Sequence, residues 1–119
     1  MLNLGHKNLD VFKRSIELTK EIYRITTHFP KEEIYVLVSQ LRRAAISIPS
    51  NISEGFARES KIETKRFLDI ARSSLVELDT QIIISNEFGY IAEKDLIIIN
   101  ELIQRVFSML SKLINKYKY

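Results

Sequence analysis

The chain has no cysteine and no tryptophan, and only three glycines, two prolines and two histidines among its 119 residues. Without cysteine there is no disulfide, no thiol nucleophile and no thiolate metal site, which suits a reducing cytoplasm. Gly5, Gly55 and Gly89 are too scattered to form a glycine loop that cradles phosphate. His6 falls in an N-terminal segment expected to be mobile, and His28 closes the first helix, where an imidazolium meets the negative end of the dipole. Neither stands in a metal-binding register, and no Glu-x-x-His pair of the di-iron type occurs. Ser47, Ser50 and Ser53 lack a neighbouring histidine and a Gly-x-Ser-x-Gly turn, so they are expected to bond to local helix carbonyls instead. Asn51, Ile52 and Ser53 match a glycosylation acceptor only by chance. This inventory predicts no enzyme, no cofactor and no metal.

Long apolar runs are missing too. None approaches the ~18 residues of a membrane span, and the opening MLNLGHKNLD has no apolar core of a signal peptide. A cytoplasmic protein without membrane contact is expected. The 18 Lys and Arg exceed the 15 Asp and Glu by only +3, a weak sign of a polyanion partner. At this length the chain makes one domain, able to bury roughly two thirds of the surface it would expose unfolded.

What is present is helical periodicity. The run QLRRAAISIPSNISEG, Gln40 to Gly55, keeps Leu41, Ala45, Ile48, Ile52 and Phe56 at spacings of three and four through Pro49. The proline therefore kinks a helix rather than ending one. It removes the bond to the Ala45 carbonyl at a cost of about 3 kcal/mol or more, which something tertiary or functional must offset. Ser50 and Asn51 follow it at the kink.

The spacing predicts four helices, over about 10–27, 31–56, 60–88 and 93–116. Phe12, Ile16, Thr19 and Tyr23 stack beside Val11, Leu18, Ile22 and Ile25 on the first. Pro30 starts the second, with Glu32 and Glu33 in its first turn. Ser60 and Glu63 read as a capping box for the third, striped by Phe67, Ala71, Ser74, Leu78 and Ile82 as far as Phe88, and Gly89 as its left-handed cap. Leu96, Ile99, Ile103, Val106, Leu110, Leu113 and Tyr117 stripe the fourth. A rival reading pairs Ile82–Ile84 with Leu96–Ile99 as a β-hairpin, but both runs lie inside longer helical stripes. Short connections then imply an all-α, antiparallel up-down-up-down four-helix bundle.

Apolar side chains exceed one bundle's need. Ile97, Ile98, Phe107, Met109 and Ile114 on the fourth helix, with Leu68, Val76 and Ile83 on the third, lie off the main stripes. A homo-oligomer is the natural outcome, a generously buried monomer the alternative.

The remaining constellation is basic: Arg42, Arg43, Arg58, Lys61, Lys65 and Arg66, interleaved with Glu54, Glu59 and Glu63. On a monomer it makes a salt-bridged surface, with Glu54 and Arg58 in favourable i,i+4 order. Repeated around a symmetry axis it becomes a polyanion site. After Glu101 only cations follow, Arg105, Lys112, Lys116 and Lys118, which complement a helix dipole or touch nucleic acid.

The run from Gln40, with FPKEEIY from Phe29 and ARSSLVELDTQ from Ala71, resembles the four-helix proteins encoded within 23S rRNA intervening sequences. The resemblance covers roughly residues 10–90 and includes the accessory variability proteins of diversity-generating retroelements. It implies a homopentameric assembly, nucleic-acid binding and a protein partner such as a reverse transcriptase. The matching positions are Arg42, Arg43, Pro49, Ser50, Asn51, Glu54, Gly55, Arg58 and Ser60, then Glu77 and Gln81. Val36, Ala57 and Asp79 depart from the pattern. The expected function is a non-enzymatic bundle that binds RNA or DNA through Arg42, Arg43 and Arg58, helped by Lys65, Arg66, Lys112 and Lys116. The alternative is an oligomeric scaffold in which Arg42 and Arg43 make intersubunit ion pairs with Glu54 or Glu77.

Overall fold

The computed structural model describes residues 1–118. A 3-10 turn, Gly5–Asn8, precedes α1 (Asp10–Thr26), α2 (Ser39–Phe56), α3 (Lys61–Glu87) and α4 (Glu93–Asn115). No strand occurs among the described residues, and both isoleucine runs lie within α3 and α4. The molecule measures 43 × 27 × 21 Å, its length close to the ~40 Å rise of a helix of α3's length. None of these helices is long and apolar enough to cross a membrane.

Cross-helix bonds fix the topology. Thr19 meets Ala45 and Thr26 meets Arg42, so α1 and α2 run in opposite directions. Ser47 meets Ser74 while Gly55 meets Thr64, which sets α3 against α2. Arg72 reaches Ser111 and Arg24 reaches Asp95, placing α4 antiparallel to both α3 and α1. Each helix thus packs on the two beside it, and their inner stripes close one core.

That core contains Val11, Leu18, Ile22 and Ile25 from α1, and Leu41, Ala45, Ile48 and Ile52 from α2. Leu68, Ala71, Leu75 and Leu78 from α3 meet Ile99, Val106, Leu110 and Ile114 from α4. The structure corrects the expected stripes at several places. Ile16, Tyr23 and Phe88 are exposed, whereas Leu68 and Ile114, placed off the stripe by periodicity, are buried. An α-helix turns 100° per residue, so a stripe a hundred degrees wide admits two phases, and contact with both flanking helices selects one.

The segment after Pro30 departs from a regular helix. Lys31–Glu33 forms a 3-10 turn, with the Glu33 amide donating to the Pro30 carbonyl at 2.9 Å, and Ile34–Val38 a π turn. Three β-branched residues in five, Ile34, Val36 and Val38, crowd a tight helix. The wider turn brings Leu37 and Val38 into the core and projects Ile34, Tyr35 and Val36, with Tyr35 92% exposed.

Pro49 does not end α2, which runs unbroken and buries the proline ring. The Ala45 carbonyl, deprived of the residue-49 amide, accepts instead from Thr19 Oγ1 at 3.2 Å. Nearby, Asn51 Nδ2 donates to the Ser47 carbonyl at 2.8 Å. A hydroxyl of α1 thus supplies the tertiary compensation that an interior proline requires.

The α2–α3 connection is tight. Gly55 lies in the last turn of α2, and its carbonyl accepts from Thr64 Oγ1 at 2.9 Å. A Cβ there would stand 3.1 Å from both Phe67 Cβ and the Thr64 carbonyl oxygen. Ser60 caps α3 by accepting from the Glu63 amide at 3.0 Å. Glu63 does not complete a capping box, because its carboxylate pairs with Arg66 at 2.9 Å. At the far end Gly89 takes φ 76°, the left-handed cap expected, and the Tyr90 amide donates back to the Ser85 carbonyl at 3.1 Å.

His6 corrects another expectation. Its imidazole is only 8% exposed, with Nε2 3.0 Å from Ser53 Oγ, and it lies edge-on to Phe12 and parallel to Phe56. Burial, and then the Lys7 charge, lowers its pKa. The N-terminal segment is therefore latched to α2.

Candidate functional site

The expected arginine cluster divides into three environments. Arg42 points back to α1: Nε donates to Thr26 Oγ1 at 3.0 Å, a terminal nitrogen lies 3.4 Å from the Tyr23 carbonyl, and the guanidinium sits 4.5 Å from the centre of the Tyr23 ring. It complements the last carbonyls of α1, where a cation favours the helix dipole. Arg42, half-buried, is a strut between α2 and α1.

Arg43, one residue on, is turned toward α3. It is exposed and, among the described residues, makes neither a hydrogen bond nor an ion pair. It lines a cleft with Gln40, Ala44, Ser47, Ser74 and Glu77.

Arg58, Lys65 and Arg66 lie at the end of the bundle formed by the α2–α3 turn. Each pairs along its own helix or turn: Arg58 with Glu54 at 3.3 Å, Lys65 with Asp69 at 2.8 Å and Arg66 with Glu63 at 2.9 Å. The Arg58 and Arg66 guanidinium groups lie 4.8 and 4.6 Å from the centre of the Phe67 ring, which explains why Phe67 stands partly outside the core. Lys112 and Lys116 reach the same end along α4. They line a groove with Leu9 and with Asp10 and Val11 at the start of α1, and Tyr117 meets Phe56 edge-on.

One end of the bundle therefore collects Arg58, Lys61, Lys65, Arg66, Lys112 and Lys116. The opposite end holds Glu32, Glu33, Glu87, Glu93 and Asp95. There Arg24 bridges Glu21 and Asp95, which raise its pKa, at 2.6 and 2.8 Å. Tyr90 donates to Glu33 at 3.0 Å, and that bond, then burial, holds the phenol above its ordinary pKa. Both ends carry both signs, since Glu54, Glu59, Glu63 and Asp69 are interleaved with the cations of the first end, and Arg24, Lys31 and Lys94 with the carboxylates of the second.

The serines also depart from expectation. Ser47 Oγ lies 2.8 Å from Ser74 Oγ on α3, and Ser53 meets His6, so both bridge elements rather than bond to local carbonyls. Asn51 holds Ser47 from behind, Nδ2 to Oγ at 2.9 Å. Gln40, Ser74, Tyr23 and Thr26 were not singled out as site residues by sequence. The signal for Gln40 was its i, i+3, i+7 spacing with Arg43 and Ser47. Among the described residues no group of three His, Asp or Glu is placed to hold a metal ion.

Comparison with proteins of curated function gives no match. Among solved structures, one similar chain is a protein of unknown function from the S23 ribosomal protein family of Bacteroides thetaiotaomicron. It superposes with a TM-score of 0.78 at 22% identity, over 87% of this chain and 97% of that one, and so shares the fold. The model of the 23S rRNA-intervening sequence protein family matches residues 7–112. Spanning nearly the whole bundle, from the latched N-terminal turn to the last turns of α4, that match makes the chain a member of the 23S rRNA-intervening sequence protein family.

Proposed function

We propose that the protein works by binding rather than by catalysis: in the cytoplasm it associates with copies of itself and holds RNA or DNA against the basic end of the bundle. The observation that carries this reading is the gathering of Arg58, Lys61, Lys65, Arg66, Lys112 and Lys116 at one end. Exposed ion pairs such as Arg58–Glu54 are worth about 0–1 kcal/mol, so phosphate displaces the carboxylate at little cost. Among the described residues Lys61, Lys112 and Lys116 have no ion pair to give up.

A net charge of +3 on one subunit gives weak attraction, and symmetric repetition strengthens it. Self-association is supported by apolar side chains left in water. Val76, Ile83, Ile97 and Phe107 are exposed beside two hollows of about 370 and 450 Å³ between α3 and α4. Ile34, Tyr35 and Val36 project from the π turn. A knob and a groove on different faces of one chain make a head-to-tail contact that closes into a ring, which we take to be a pentamer. We also take α2 to bend at Pro49, beside Ser50 and Asn51, as the ring pushes against the Ala45 carbonyl.

The test is fluorescence anisotropy with structured RNA and with single- and double-stranded DNA across a salt series, with light scattering at each condition. A negative slope of log affinity against log salt, worth several counterions per oligomer, supports the reading. Undetectable binding at low salt refutes it and favours the second reading, an oligomeric scaffold for a protein partner. That second reading draws on Arg42, whose guanidinium is spent within the chain, and on the internal pairing of Arg58, Lys65 and Arg66.

A further inference from the structure

On the α2–α3 flank lies an open cleft of about 440 Å³ whose lining, apart from Ala44, is polar. Gln40, Arg43 and Ser47 enter it from α2, and Ser74 and Glu77 from α3. Its parts are held from behind. The Ser47–Ser74 hydroxyl pair joins the two helices, and Asn51 fixes Ser47. Gln81 Nε2 donates to Gln40 Oε1 at 3.4 Å and to Glu77 Oε1 at 3.2 Å, tying both lips to one amide. Gln81 is only 9% exposed, and its own Oε1 has no hydrogen-bond partner among the described residues.

The two charges of the cleft are available. Arg43 and Glu77 face the same space, yet among the described residues neither makes an ion pair with the other or with any group. Glu77 would repel a phosphate, and so polar a lining has nothing to offer an apolar ligand. The arrangement asks for a flat ligand with acceptors on one edge and donors on the next. Guanine meets that requirement: O6 and N7 accept a forked guanidinium, and N1–H and the N2 amino group donate to a carboxylate, which only accepts.

We propose that this cleft is a guanine site, which takes one unpaired guanine of the bound nucleic acid. Arg43 donates to O6 and N7, Glu77 accepts from N1 and N2, and Gln81 is a positioning residue that orients Glu77. N1 and N2 are occupied in a Watson–Crick pair, so the base must come from a single strand. The inference rests on the nucleic-acid reading above and names the base it selects.

The test uses a short uridine-rich RNA carrying one guanine, and the same RNA with adenine, 7-deazaguanine or inosine at that position, by anisotropy at fixed salt. Replacing guanine by adenine should weaken binding by roughly ten- to a hundredfold. Removing N7 should weaken binding to the wild type but not to Arg43→Ala, and removing the N2 amino group should weaken binding to the wild type but not to Glu77→Ala. Far-UV circular dichroism checks that both variants stay helical. Equal binding of all four RNAs with a normal salt slope overturns the guanine site and leaves the proposed function standing. Absence of any binding at low salt overturns both. A smaller oligomer in either variant would place Arg43 and Glu77 at a subunit interface, and that also overturns the proposal.

Discussion

Removing the Thr19 hydroxyl asks how α2 tolerates a proline in its interior. Ala45 is fully buried, and its carbonyl accepts from Thr19 Oγ1 at 3.2 Å because residue 49 has no amide hydrogen. Thr19→Val keeps the shape and deletes that donor, and a buried acceptor left bare costs about 1–3 kcal/mol. The low end applies, since Thr19 shares its one proton with the Ser15 carbonyl at 2.8 Å. The expected loss is about 1 kcal/mol, or about 4 °C in Tm for a domain of this size. In Pro49→Ala the residue-49 amide returns and takes the Ala45 carbonyl, so Thr19→Val loses nothing there. Its effect on the Ser15 carbonyl is the same in both backgrounds and cancels. Urea unfolding of the four proteins at one protomer concentration should therefore close on a coupling energy of about 1 kcal/mol. Equal costs for Thr19→Val with and without Pro49 would refute the reasoning, because the hydroxyl would then have no business with Ala45.

Gly55→Ala drives a methyl to within 3.1 Å of Phe67 Cβ and the Thr64 carbonyl, atoms that cannot yield without shifting α3. We expect the overpacking, about 1–3 kcal/mol, to outweigh the ~1 kcal/mol gain in helix propensity, as read from the urea midpoint. Arg42→Met removes a donor from the end of α1 and should lower stability by about 1 kcal/mol with no change in polyanion affinity, whereas Arg43→Met should leave the unfolding curve where it is. The latched imidazole makes stability depend on pH. His6 is held below its ordinary pKa of 6.5 in the fold, so the unfolded chain binds the proton first. Stability is then whole above about 6.5 and falls as the pH drops toward the folded-state value, and a urea-midpoint series in His6→Phe should lose this slope.

How much of this was legible depended on whether a residue answers to its own helix or to another. Leu41, Ala45, Ile48 and Ile52 are spaced for one face, and that face is buried. Gly89 at the end of a stripe became the left-handed cap, since only local geometry is involved. Ile16 and Tyr23 were misassigned because α1 has two apolar faces, and only the approach of α2 and α4 chooses between them. His6 looked like part of a loose leader, and nothing nearby in sequence announces Ser53 as its partner. The basic run around Arg58 was visible, but its junction with Lys112 and Lys116 needed the antiparallel return of α4. Arg42 and Arg43 read as one motif, although the 100° step between them sends one to α1 and the other to the α2–α3 cleft.

The close seam between α2 and α3 has a kinetic meaning. These two helices make the most extensive contact in the molecule, and only the four residues 57–60 separate them. Closing so short a loop costs little entropy, while Gly55 lets the backbones meet early and Thr64 ties the turn. We expect this pair to form ahead of the α3–α4 hairpin, whose connection 88–92 is nearly as short but whose contact is smaller, with α1 docking across the longer segment 27–38. Stopped-flow measurements should find that Thr64→Val slows folding, whereas Val106→Ala mainly speeds unfolding, so the order of assembly is written into one glycine-backed hairpin.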